Sequence, residues 1–165
     1  MKVFVEEQRF DQWWFRILLI ITSLIIFGTI AKSYDEIKNN PTDLWISLGV
    51  GLLTIILMFF VAFVLKLVTR IDDQGIHYGF WPFQFKLKTA KWNEIAQCYV
   101  REYNPIMDYG GWGYRMISFR KKGAALNVKG NIGIQIVFND GKKLLIGTQK
   151  EQESKSTLET YKHKL

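Results

Sequence analysis

The sequence predicts a membrane α-helical hairpin of two transmembrane helices, followed by a mainly β barrel or sandwich that ends in a helix. Three observations carry this. Residues 17–31 and 44–65 hold no charged side chain, in a chain of 165 residues that is 22% charged. Beyond residue 69 the long apolar runs give way to period-two alternation. The final stretch, KEQESKSTLETYKHKL, drops the alternation and is rich in helix formers. A chain laid out this way is neither an ordinary soluble globule nor a disordered segment.

The first apolar stretch runs from Trp13 to Ala31, broken only by Arg16, and the second from Leu44 to Leu65. At about 1.5 Å per residue each makes a helix about 30 Å long, the thickness of a bilayer's hydrocarbon core. Neither shows the polar face a surface helix needs. Trp13, Trp14 and Phe15 open the first helix and Trp45 opens the second, as headgroup-level aromatics do. Arg16 lies within a turn of the entry and can snorkel back to it. Gly49 and Gly51 are small enough to let the helices approach. The connection KSYDEIKNNPTD is short and polar, with Asn39, Asn40 and Pro41 as breakers. Residues 1–12 carry Lys2 and Arg9 against Glu6, Glu7 and Asp11, a poor positive leader, so the first helix is read as retained and not cleaved.

These features divide the chain into 1–68, an N-terminal segment with the hairpin (helices about 13–31 and 44–65), and 69–165, a β domain. Basic residues flank the hairpin on its terminal sides, with Lys66 and Arg70 directly after the second helix. The positive-inside rule then puts both termini and the β domain in the cytoplasm and the short loop outside. Residues 1–65 carry 5 basic and 6 acidic side chains; residues 66–165 carry 17 and 9, so the whole surplus of the +7 chain lies beyond the hairpin. The one cysteine, Cys98, excludes an intrachain disulfide and fits a reducing compartment.

In the β domain the alternation and the turn residues mark strands near 66–72, 76–81, 83–89, 94–103, 114–121, 132–139 and 142–148, with a short piece at 124–128. Phe83, Phe85 and Leu87 are expected to face the core, with Gln84, Lys86 and Lys88 in water. Asp140-Gly141 reads as a hairpin turn. Thr148 and Glu151 have capping-box spacing ahead of a helix that places Leu158, Tyr161 and Leu165 along one side.

Seven or so antiparallel strands and a C-terminal helix are the arrangement of a pleckstrin-homology-like (PH-like) barrel. Two hydrophobic helices, then Ile71-Asp72-Asp73-Gln74-Gly75-Ile76 and Trp92-Asn93-Glu94-Ile95, resemble the small bacterial two-span membrane proteins with a C-terminal PH-like domain. Tyr109-Gly110-Gly111-Trp112-Gly113-Tyr114-Arg115 and Asp140-Gly141 with Ile146-Gly147-Thr148 are similar to an uncharacterised subgroup of that family. The resemblance covers roughly residues 10–160. It implies the fold and a bacterial inner-membrane location, and it brings no catalytic residues.

No hydrolase elbow, zinc-protease helix or P-loop occurs. His77 and His163 are far apart in sequence, His77 reads as a solvent-facing strand residue, and Asp72 and Asp73 read as turn caps. No catalytic, cofactor or metal site is therefore expected, and no nucleic-acid motif accompanies the basic surplus. The candidate lipid or partner contacts are Lys66, Arg70, Lys86, Lys88, Arg120 and Lys121, with Gly110, Gly111, Trp112 and Gly113 as a loop whose amides can face an anion. Lys91 and Lys122 extend the basic set, and Tyr103-Asn104-Pro105-Ile106-Met107 adds apolar surface. The functional expectation is a non-catalytic membrane protein presenting a module for protein or lipid-headgroup binding or assembly, a homo-oligomer included. The alternative is an accessory subunit of a membrane enzyme or transporter.

Overall fold

The computed structural model describes residues 2–37, 41–115 and 123–165. The chain forms two compact units, Phe10–Leu65 and a second made of Met1–Arg9 with Lys66–Leu165.

The first unit is two helices, α1 (Trp13–Ile37) and α2 (Pro41–Phe59), the latter continuing through a π-helical stretch, Phe60–Val64. Both are long and apolar enough to cross a membrane: Arg16–Tyr34 has none of its residues buried and Trp45–Val64 only 11%. A soluble protein's core helices are covered by their own chain; these are not. The hydroxyls of Thr22, Ser23, Thr29 and Thr54 each donate to a carbonyl of the preceding turn, so these polar groups are satisfied within their own helix. Of the two small residues, Gly51 is where the helices meet. A Cβ there would lie 3.2 Å from Ile26 and 3.3 Å from Ile30, whereas one on Gly49 meets nothing within 4 Å.

The second unit holds two sheets. The first has the order β1 (Phe4–Arg9), β2 (Lys66–Ile71), β3 (Gly75–Trp81), β4 (Lys88–Lys91), all antiparallel. In the second, β5 (Ile95–Glu102), β8 (Ile132–Phe138), β9 (Lys143–Gly147), β7 (Ala124–Asn127) and β6 (Gly113–Arg115) lie side by side in that order, with β7 parallel to β9. A 3-10 turn, Trp92–Glu94, links the sheets, and a one-turn helix, α3 (Pro105–Tyr109), follows β5. Phe4, Ile71, Ile76 and Ala90 form one buried cross-strand row; Leu67 and Phe80 start the next. Ile134, Ile136, Leu144 and Ile146 share one buried face of the other sheet, and Leu145 lies on its opposite face in a buried cluster with Tyr103, Tyr109 and Ala125. The Asp140-Gly141 turn joins β8 and β9 as an antiparallel hairpin, as its sequence implies.

The chain departs from the expected division at its start. Residues 4–9 are not an appendage of the hairpin but the outer strand of the β unit, with Arg9 paired to Lys66. The boundary at 68 is therefore replaced by an insertion: the helices interrupt a β unit between two neighbouring strands. The inward positions of β1 are Phe4, Glu6 and Gln8, two of them polar, so hydropathy alternation is absent. Their polar groups are met by the chain's far end. Glu6 accepts from Thr148 Oγ1 at 2.6 Å and from the Gln149 amide at 2.8 Å, and Gln8 Nε2 donates to the Gly147 carbonyl at 2.7 Å.

Two further corrections concern strands. The alternation in 83–89 does not make a strand, because Pro82 and Gln84 turn the chain and β4 starts only at Lys88. The strand expected at 114–121 is three residues at Gly113–Arg115, and 116–121 falls outside the described residues. The C-terminal helix, α4, spans Glu151–Tyr161 and packs against β1, β5 and β8. Its capping box does not form. Thr148 instead accepts from the Lys150 amide while its hydroxyl is committed to Glu6. Leu158 and Tyr161 are buried as expected, Leu165 is exposed, and Tyr161 stacks on Trp92 and donates to the Lys2 carbonyl at 2.6 Å.

Candidate lipid- or partner-contact surface

Among the described candidate cations, Lys66 and Arg70 are engaged by their own chain. Lys66, the first residue of β2, is tied to Glu7 across the strand pair, Nζ to Oε1 at 2.9 Å, and lies 5.9 Å from the centre of the Trp81 ring. Arg70 places Nε 3.0 Å from Asp72 Oδ2. Both are thus partly neutralised by their own chain. Lys86 and Lys88 are exposed around the start of β4. Arg120 and Lys121, with Lys122, lie outside the described residues.

The Gly-Gly-Trp-Gly loop has its amides in use. Gly110, at φ 73°, closes α3 in the left-handed conformation, and its amide donates to the Ile106 carbonyl at 2.9 Å. The Gly111 amide donates to the Pro105 carbonyl at 2.9 Å, and the Gly113 amide to Asn127 Oδ1 at 2.8 Å. Trp112 Nε1 donates to the Gly130 carbonyl at 3.1 Å. An anion-binding nest needs consecutive amides pointing at open space; here each glycine amide already has an acceptor. The loop works as a helix stop and as a clasp onto β7.

Asp72, His77 and Thr89, which sequence spacing does not connect, are joined by the sheet register. Arg70, His77 and Thr89 are opposite one another on β2, β3 and β4. Thr89 Oγ1 is 2.8 Å from His77 Nδ1, and His77 Nε2 is 3.0 Å from Asp72 Oδ1. Both ring nitrogens of His77 are thus engaged, one by the carboxylate and one by the hydroxyl. The order of groups is that of a hydrolytic triad, but Thr89 is exposed on an edge strand. A cavity of about 440 Å³ between β5 and α4 is lined by other residues, among them Trp92, Cys98, Tyr99, Leu158 and Lys162. Burial pushes the Cys98 thiol up to about 12, which makes it a poor nucleophile at neutral pH.

Asp72 does the turn-capping expected of it, accepting from the Gln74 amide at 2.9 Å, and its carbonyl takes the Trp92 indole at 2.9 Å. Burial raises its pKa, but the hydrogen bonds from His77 and Gln74 and the charges of His77 and Arg70 outweigh that and hold the carboxyl below its ordinary range. A depressed carboxyl contributes stability that is fully present above its unfolded value, about 3.9, and is lost as pH falls through the lower folded value. Asp72→Asn should therefore lower the thermal midpoint in detergent near neutral pH by the equivalent of about 1–3 kcal/mol. The gap from the unmodified chain should close progressively below about pH 4. A gap that stays constant down to pH 2 would show that the carboxylate's charge is not what matters.

Among the described residues no three His, Cys, Asp or Glu side chains converge as a metal site. What sequence reasoning misses is apolar. Phe83 and Phe85, expected in the core, are 71% and 84% exposed. The proline at 82, which stops a strand, is the signal that marks them. Comparison with protein-family models, curated proteins and solved structures found no match for this chain.

Proposed function

We propose that this chain is a non-catalytic integral membrane protein of the bacterial inner membrane. Its helical hairpin holds a PH-like module at the cytoplasmic face, where the module binds a protein or a lipid headgroup or joins copies of itself. One observation carries the membrane half of this reading: the two uncovered apolar helices are inserted between strands that pair directly, Arg9 opposite Lys66. Paired strands must lie on the same side of a bilayer, so the insertion between them crosses an even number of times. Two helices of bilayer length satisfy that condition. The PH-like half is supported by two sheets followed by a C-terminal helix, and by the motifs around Asp72 and Trp92. The cytoplasmic placement is supported by the basic surplus and the free, half-buried Cys98.

Alkaline-carbonate washing of membranes from expressing cells tests the reading. The full chain is expected in the pellet, with a tag at the C-terminus digested by protease only after the membrane is opened from the cytoplasmic side. Release into the supernatant overturns the membrane reading, and digestion from the outside overturns the orientation.

A further inference from the structure

The segment between β3 and β4 is built to keep aromatics in the open. Gln84 anchors it, its amide donating to the Phe80 carbonyl at 2.8 Å and its Oε1 accepting from the Phe80 amide at 3.2 Å. Leu87 and Gln84 lie over Gly79, where a Cβ would meet them at 3.2 and 2.8 Å. Leu87 is thereby drawn onto the sheet while Phe83 and Phe85 stay exposed. Among the described residues of the β unit, no other large apolar side chain is as exposed as these two. An exposed apolar pair on a pinned turn marks a contact surface.

Its place in the chain says what it contacts. The segment begins at Trp81, which pairs with Lys66, which pairs with Arg9. Lys66 is two residues from the end of the second apolar span at Val64, at most about 7 Å of chain. The neighbouring strand is about 5 Å further. The root of the aromatic turn is therefore leashed to the membrane end of α2, whatever the angle between the units. Lys66 is the register partner of Trp81, and Lys86 and Lys88 belong to the segment itself. Aromatics with lysines, held at the end of a span, are the composition of the headgroup–acyl boundary.

We infer that the Trp81–Lys88 turn is a membrane-contact site: Phe83 and Phe85 enter the boundary of the leaflet that holds the hairpin, and Lys86 and Lys88 meet its anionic headgroups. The inference rests on the hairpin lying in a bilayer, and the test separates the two. The full chain, with Cys98→Ala, is reconstituted in vesicles of phosphatidylcholine with phosphatidylglycerol. Single cysteines at Phe85→Cys, at Leu24→Cys in α1 and at Glu159→Cys on α4 carry an environment-sensitive fluorophore. Position 85 is so exposed that the substitution disturbs no packing.

The label at 85 should emit to the blue of the label at 159. It should also lose about half its intensity to lipids brominated high in the acyl chain, within the 5–10 Å that interfacial side chains reach. The label at 24 should be quenched by deep bromines. A water-like, unquenched label at 85 beside a quenched label at 24 overturns the inference and leaves the hairpin reading standing. A blue-shifted but unquenched label at 85 overturns it in favour of a protein partner or a second copy. Water-like labels at both positions overturn both readings. Omitting phosphatidylglycerol should weaken quenching at 85 but not at 24 if the lysines read anionic headgroups; equal quenching removes that part.

Discussion

Replacing residues 10–65 by an Asn-Gly turn between Arg9 and Lys66 is expected to give a soluble, cooperatively folding β unit. A chain that starts at Lys66 is expected not to fold. The two differ in residues 1–9 and the turn, and within that segment β1 supplies the outer strand of the first sheet, the fully buried Phe4, and both partners of the ties to Gly147, Thr148 and Gln149. Losing a buried phenylalanine costs about 3–5 kcal/mol. Stranding the Thr148 hydroxyl and the Gln149 amide adds about 1–3 kcal/mol for each group left unsatisfied. Against a total stability of about 5–15 kcal/mol, that sum is most or all of it. The splice is geometrically mild, because Arg9 and Lys66 are directly opposite and a two-residue turn of this type matches the twist of an antiparallel pair. Dispersed amide resonances and a single sharp thermal transition in the spliced chain, with neither in 66–165, are the expected readouts. A folded 66–165 fragment would show that β1 is dispensable and that the hairpin is an N-terminal attachment instead of an insertion.

That insertion is also where the sequence is hardest to read. The apolar helices are legible because a charge-free run of bilayer length has no polar face to turn toward water. The strands β2, β3, β5, β8 and β9 are legible because one face is apolar and the turns between them use glycine, as at Gly75 and Gly141. β1 is hidden because two of its three inward residues are polar, and their partners, Gly147, Thr148 and Gln149, lie at the other end of the chain. No local window contains that information. The segment 83–89 fails in the opposite direction: its alternation is strand-like, but a proline precedes it and Gln84 closes a turn onto Phe80. For the candidate site, residue type alone identifies Lys86 and Lys88 as outward cations. It does not show that the glycine amides are committed, nor that register aligns His77 with Thr89, since both depend on which strands become neighbours.

Leu24→Arg combined with Leu53→Arg should remove the full chain from the carbonate-resistant membrane fraction, while Leu24→Ala with Leu53→Ala should leave it there. Both leucines lie near the middle of their spans, Arg16–Tyr34 and Trp45–Val64, and are largely exposed. Each arginine at a span's centre costs about 2.5–3.5 kcal/mol on insertion. The pair together shifts partitioning by about four orders of magnitude, at about 1.4 kcal/mol per decade. The alanine pair separates burial in lipid from burial in a protein interface. In a packed protein core, Leu→Ala leaves a cavity and costs about 2–5 kcal/mol per site. Facing fluid acyl chains there is no cavity to leave, because the solvent fills it, and the remaining apolar residues hold the spans in place. If alanine and arginine pairs both abolish membrane retention, the helices depend on a specific protein partner and the hairpin is one half of a larger packed assembly. If neither does, the chain is held at the membrane by something other than its two apolar helices.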